Sequence, residues 1–316
     1  MPLSNSEIIK YFDHRLVKRG SKYIYYPDLH KKYAQYTNKN GYDLILSFYR
    51  KVKVILDDFV ERMETEGMNS KEMIAEGFRI YDQKPSQNVN QGITWSEEEY
   101  NHLGFQYIYI KIKSVQRFTE VYNLLVRMHN QGMFDFLERK SPSRNRELDQ
   151  AGKKSFRIIS IGGGPGFELY ATRLFFEKYY STVKLKLMTS DLGDWKFANQ
   201  VFGNEFTFGS FYEPEYLKEI SRNYDCAMMS YVFHHYFNRD NSKWELIHKF
   251  LRNDIKFFMV NSRRKHMNLY EYLEKYYYLY NLIGKNDHRQ SVISVKKIRI
   301  DPKTHQIKIP FYDVPY

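Results

Sequence analysis

Residues 156–168 read FRIISIGGGPGFE: a short apolar run, four glycines in five positions, and then a helical start. Glycine permits φ > 0 and lets backbone approach a ligand closely, while the first turn of a helix offers free N–H groups. The spacing separates the cofactors such a turn can hold. A dinucleotide turn wants Gly-x-Gly-x-x-Gly, but the sixth position counted from Gly162 is Phe167, and from Gly164 it is Leu169. A phosphate-binding GxxxxGK[ST] loop is also missing from the sequence. The pattern present is Gly162-x-Gly164-x-Gly166, with Gly163 inside it.

Downstream of the turn the rhythm alternates. Strands are expected at Arg157–Ile161, Lys184–Ser190, Glu205–Gly209, Asp225–Ser230 and Lys256–Asn261. Helical segments are expected near Glu168–Lys178, Lys196–Val201, Glu215–Ser221 and Lys243–Leu251. Short apolar strands alternating with amphipathic helices imply a parallel sheet covered on both faces. The chain ends differently, because Val292–Ile300 and Gln306–Phe311 flank Asp301-Pro302-Lys303-Thr304 and read as a hairpin.

Upstream the sequence reads as helices. Ile8, Phe12 and Leu16 recur every four residues behind a polar start at Ser4. Leu44, Phe48, Val52, Ile55, Phe59 and Met63 form one face of a longer helix, with Gly67 just past its end. Ser96 and Glu99 make a capping box, and Val115, Phe118, Val121, Tyr122, Leu125 and Met128 keep helical spacing as far as Gly132. The expected organisation is a helical region over 1–138, a basic linker or loop over 139–155, and an α/β domain over 156–316.

The glycine pattern and the strand–helix series after it resemble the class I S-adenosylmethionine (SAM)-dependent methyltransferases, over about residues 155–316. The resemblance implies an α/β fold: a seven-stranded class I methyltransferase sheet, parallel with a C-terminal antiparallel hairpin, preceded by an all-helical N-terminal region. It implies SAM as cofactor, with Gly162, Gly163, Gly164 and Gly166 passing under its methionine part. Asp191, at the end of the second strand, then accepts from the ribose hydroxyls; its plain alternative is a helix cap. Ser210 and Phe211 fall where the family holds adenine, and Leu192, Ser230 and Tyr231 are expected to line the same site. Ser160 departs from the pattern, since many members carry an acid there.

Ligands of open α/β sheets bind beyond the carboxyl ends of the strands, so residues 231–236 are expected to face the methyl group. His234 and His235 are candidates for acceptor positioning or proton transfer, against a purely packing role. Arg263-Arg264-Lys265, after the fifth strand, can hold phosphates or form a solvated turn. An Asn/Asp-Pro-Pro-Tyr/Phe motif is lacking, and Cys226 begins its strand, far from the active end. Without HExxH or a carboxylate–histidine cluster, no metal site is expected.

Net charge is +12, and residues 1–50 alone contribute +5, which suits a polyanion such as RNA. One cysteine excludes an internal disulfide framework. No run approaches the roughly 18 apolar residues of a membrane span, and no apolar leader opens the chain, so a cytoplasmic or nuclear protein is expected. Three functions are compatible with these features. They are a methyltransferase acting on RNA, one acting on a small molecule or protein, and a catalytically inactive subunit of a larger complex.

Overall fold

The computed structural model describes residues 3–83, 95–138, 155–209, 214–232, 256–262, 273–285 and 287–312. The chain forms two compact units, one of residues 1–87, 94–123 and 308–316, the other of 88–93 and 124–307. The linker reading over 139–154 and the helix reading over 243–251 lie outside the described residues.

In the first unit, α1 (Asn5–Tyr11) starts at Ser4, whose side chain accepts from the Glu7 backbone while the Glu7 carboxylate accepts in return. The helix does not continue to Leu16 as its spacing suggests. Phe12 ends it, Asp13 and His14 take positive φ (56° and 53°), and Leu16 opens a strand. Thus β1 (Leu16–Arg19), β2 (Lys22–Tyr25) and β3 (Gln35–Thr37) stand in a region read as wholly helical. The four-residue spacing of Ile8, Phe12 and Leu16 reflects one shared core, not one helix, and the three are all buried.

The long helix is present as α2 (Lys39–Thr65), with Phe48, Val52, Ile55, Phe59 and Met63 buried and Gly67 just beyond at φ 74°. After α3 (Ser70–Asp82), the Ser96–Glu99 box opens α4 (Glu97–Asn101), and α5 (Leu103–Asn130) follows. Phe48 stacks on Phe118 of α5 at 4.3 Å.

The end of the chain corrects a second expectation. Val292–Ile300 and Gln306–Phe311 do not pair with each other. Instead β11 (Phe311–Tyr312) joins the first unit as the fourth strand, order β1-β2-β3-β11, with Phe311 opposite Thr37. The Thr37 hydroxyl donates to the Pro310 carbonyl at 2.7 Å. Gly41 has no Cβ because one would stand 2.9 Å from both the Pro310 oxygen and the Phe311 ring.

The second unit holds a seven-stranded sheet. After the short α6 (Asp135–Glu138), its elements are β4 (Ser155–Ile161), α7 (Phe167–Tyr179), β5 (Lys184–Asp191), α8 (Lys196–Phe202), β6 (Glu205–Phe208), α9 (Pro214–Asn223), β7 (Cys226–Ser230) and β8 (Phe257–Asn261). The antiparallel pair is β9 (Tyr278–Asn281) with β10 (Gln290–Ser294), about fifteen residues earlier than the sequence reading put it. Sheet order is β6-β5-β4-β7-β8-β10-β9; the first five strands are parallel, and β10 runs antiparallel between β8 and β9. This is the seven-stranded class I methyltransferase sheet that the resemblance implies. Strand order reverses beside β4, which leaves a crevice at the carboxyl ends of β4 and β7.

Candidate functional site

The turn after β4 lies at that crevice. Gly162, Gly164 and Gly166 have φ of 61°, 51° and 84°, values that L side chains adopt only at a cost. The N–H of Gly162 donates to the Ser190 carbonyl at 2.8 Å, tying the turn to β5. Gly166 is then the N-cap of α7.

The four glycines do different work. A Cβ on Gly166 would collide with Asn199 and stand 2.7 Å from the Asn204 amide nitrogen. One on Gly162 would come within 2.6 Å of a Val232 methyl, and one on Gly163 would run into Ser160. These three are small because protein packs against them. Gly164 differs: it is buried, but a Cβ there would meet only Trp195 at 3.9 Å and Asp191 at 4.0 Å, ordinary van der Waals distances.

Asp191 closes the far side of the turn. Its Oδ2 accepts from the Gly164 N–H at 2.8 Å and its Oδ1 from the Gly193 N–H at 2.9 Å. Burial pushes its carboxyl above the usual carboxylate range, while the N–H groups of Gly193 and Gly164 and the Trp195 indole pull it down. The Leu192 N–H is a fourth donor to these oxygens, so any ribose hydroxyls share them with the protein's own N–H groups. Asp194, the rival acid, accepts from the Lys196 N–H at 3.1 Å at the start of α8, which is a capping position.

Two amides that the sequence reading passed over hold the turn from below. Asn199, fully buried on α8, donates to the carbonyls of Gly164 and Trp195, each at 3.0 Å, and accepts from the Thr189 hydroxyl at 2.6 Å. Asn204 donates to the Gly166 carbonyl at 3.2 Å. With these carbonyls drawn down, the N–H of Gly164 is held toward Asp191. A buried Asn on α8, beyond the next strand, carries no sequence signature, so only its contacts reveal the role. Replacing Asn199 with Leu keeps the volume but strands two carbonyls and a hydroxyl. We expect a loss of about 3 kcal/mol, read as a lower urea midpoint at unchanged m-value.

Apolar surface stands open beside Asp191. Leu192 is 43% exposed, and Phe208, directly across from Asp191 on β6, is 57% exposed. Phe208 ends β6 two residues before Ser210, in the same stretch as the residues expected at the adenine. Below them, Gly209 lacks a Cβ because the Tyr216 ring sits against it, and the Tyr216 hydroxyl donates to Ser190 Oγ at 2.5 Å.

The neighbouring strand end is strained. Tyr231 has φ 63°, costly for a bulky residue, by about 1–3 kcal/mol. Its N–H donates to the Asn261 carbonyl at 2.7 Å, and Val232 covers Gly162. Strand alternation puts Ser160, Thr189, Asp191 and Ser230 on one face of the sheet. Ser160 and Ser230 are buried there with hydroxyls that have no hydrogen-bond partner among the described residues. Ser160 lies against Gly163, which has no space for a Cβ on that side. Cys226 is buried at the opposite end of β7, and burial pushes its thiol well up.

Gly162, Gly163, Gly164, Gly166, Asp191, Leu192, Ser230 and Tyr231 therefore lie at the carboxyl ends of β4, β5 and β7. Ser210, Phe211, His234, His235, Arg263, Arg264 and Lys265 lie outside the described residues. Among the described residues, no group of three or more His, Cys, Asp or Glu side chains forms a metal site, and no helix is long and apolar enough to cross a membrane.

No protein-family model and no curated protein matches the chain. Among solved structures it is similar to the CMeT domain of the citrinin polyketide synthase, at 12% identity and TM-score 0.39, over 61% of this chain and 56% of that one. It is similar to MnmC2 from Aquifex aeolicus, at 12% identity and TM-score 0.35, over 55% and 60% of the two chains. A third is a putative class I S-adenosylmethionine-dependent methyltransferase from Listeria monocytogenes, at 11% identity and TM-score 0.39, over 81% and 90%. The chain thus spans less than two thirds of the first two. Likenesses this distant carry neither cofactor nor substrate across to this chain.

Proposed function

We propose that this chain binds SAM at the Gly162–Gly166 turn and methylates RNA. The observation that carries the cofactor reading is the left-handed glycine turn with the Asp191 carboxylate against it, at the carboxyl ends of β4 and β5. A nucleoside with two ribose hydroxyls and an apolar base fits Asp191 flanked by Leu192 and Phe208. The buried, unpartnered Ser230 hydroxyl, on the same face, supplies a polar group at the next strand end.

On this reading each residue has a task. The turn and its Asn199–Asn204 clamp fix the cofactor's position, and Asp191 takes the ribose. The bound cofactor supplies a methyl group activated by its sulfonium. Transfer is an in-line displacement, which needs alignment above all. Tyr231 and Val232 wall the site on the β7 side. His234 and His235 follow in sequence and orient the acceptor or take its proton; Ser210 and Phe211 extend the adenine wall. Arg263, Arg264 and Lys265 hold phosphates. The +5 charge of residues 1–50 favours a polyanionic acceptor.

One observation favours a second reading, a methyltransferase fold kept as an inactive subunit of a larger complex. Ser160 stands where many members of the resembled family carry an acid. Calorimetric titration of the folded chain with SAM separates the two: saturable one-site binding is expected, and none at millimolar SAM sinks the enzyme reading. Labelled SAM added with fractionated extract should give label that ribonuclease removes. Protease-sensitive label would transfer the proposal to proteins, and label resisting both to small molecules.

A further inference from the structure

The four-stranded sheet of the first unit has two unlike faces. Its register puts Tyr23, Tyr25, Thr37 and Phe311 on one, where Tyr23 meets Tyr42 of α2 at 5.0 Å and Phe311 meets Tyr122 of α5 at 6.0 Å. That face is core. On the other, Val17 pairs with Ile24, Ile24 with Tyr36, and Tyr36 with Tyr312, so four side chains form one row across all four strands. In the next row, at the hairpin tip, Arg19 pairs with Lys22.

Among the described residues no ion pair forms on this second face, where Ile24 is buried at the centre of the row and Val17 is half-buried. Arg19 and Lys22 are exposed, and among the described residues neither has a carboxylate within ion-pair distance. Tyr312 is 41% exposed, Tyr36 is half-buried, and neither phenol has a hydrogen-bond partner there. Tyr36 and Tyr312, on adjacent strands, have Cβ atoms about 5 Å apart, while Arg19 and Lys22 stand two residues along on β1 and β2 and so lie roughly 8 to 16 Å from the tyrosines. Two neighbouring rings with phosphate-holding cations within a few nucleotides' reach match an unpaired nucleic-acid strand, whose bases are free to lie on aromatic faces. A duplex hides those faces.

We infer that the Val17–Ile24–Tyr36–Tyr312 face, with Arg19 and Lys22, binds single-stranded RNA: bases stack on the tyrosines and phosphates pair with the cations. The inference rests on the RNA half of the proposed function and is independent of methyl transfer. It gives the basic first fifty residues a defined surface, made only when the end of the chain adds Tyr312.

The test is fluorescence anisotropy on the full chain, with a labelled single-stranded RNA of about 12 nucleotides and a duplex of the same sequence. The single strand should bind more tightly than the duplex. The double variant Tyr36→Ala, Tyr312→Ala should weaken it at least about tenfold. Tyr36→Phe with Tyr312→Phe, which keeps both rings, should stay within about twofold. Arg19→Gln with Lys22→Gln should weaken binding and flatten the dependence of log K on log salt by about 1.4, two phosphates' worth. Single-strand affinity unchanged in the alanine and glutamine variants overturns the inference, as does duplex binding as tight as single-strand binding. Should the alanine pair fail to fold, the surface glutamine pair and its salt slope decide alone. RNA binding that persists in a chain that takes no SAM would sink methyl transfer and leave this surface standing.

Discussion

Gly164→Val is expected to weaken SAM binding by more than about 100-fold, close to 3 kcal/mol, while the sheet stays folded. The site tolerates the substitution sterically: nothing lies nearer than 3.9 Å to the new Cβ. The cost to the fold is the left-handed φ of 51°, worth about 1–2 kcal/mol. What a valine adds is a branched side chain at the turn assigned to the cofactor. Gly166→Ala is the contrasting variant, because its methyl group would strike Asn199 and Asn204 and should destabilise the fold itself. Calorimetry with SAM, paired with thermal melts, reads both. Unchanged affinity in folded Gly164→Val would place the ligand elsewhere.

Asp191→Ala should show a comparable loss of affinity, together with about 2 kcal/mol of stability, since the N–H groups of Gly164 and Gly193 lose their acceptor. A turn-holding role and a ribose-holding role separate on a 2′-deoxyribose analogue of SAM. The chain should bind that analogue about tenfold more weakly than SAM, whereas Asp191→Ala should treat the two alike. A preference for SAM that survives the substitution would leave Asp191 holding only the turn. The pH dependence has a definite sign. Burial raises this carboxyl's pKa, so the folded chain holds its proton more tightly than the unfolded chain does. Its contribution to stability is present at low pH and is lost as pH rises from the unfolded value through the folded one. Cofactor affinity runs the other way. It should fall as pH drops through that raised pKa, when the protonated carboxyl gives up acceptor sites.

The parallel half of the fold was legible because its signals are local. Phe156–Ile161 before four glycines, and Asp191 at the end of the next apolar run, fall within 36 residues, and strand, turn and strand end lie where the spacing puts them. The antiparallel pair was legible in kind but not in place. Val292, Ile293 and Ser294 do pair, but with Tyr280, Leu279 and Tyr278, since the choice of partner depends on a sheet the periodicity cannot see. The clamp at Asn199 and the small role of Ser160 were illegible. Each depends on what touches a side chain across the turn.

The sequence by itself determined that a glycine turn ends a buried strand, that its spacing fits neither a dinucleotide nor a P-loop, and that an acid follows one strand later. These depend on backbone freedom and residue spacing, which are written along the chain. Only the tertiary structure decided that Gly164 alone, of the four glycines, would meet no atom closer than an ordinary van der Waals contact on gaining a Cβ. It also decided that Phe311 and Tyr312 close a sheet begun at Leu16. Both follow from contacts between residues far apart in sequence: Gly166 with Asn199 and Asn204, and Thr37 with Phe311.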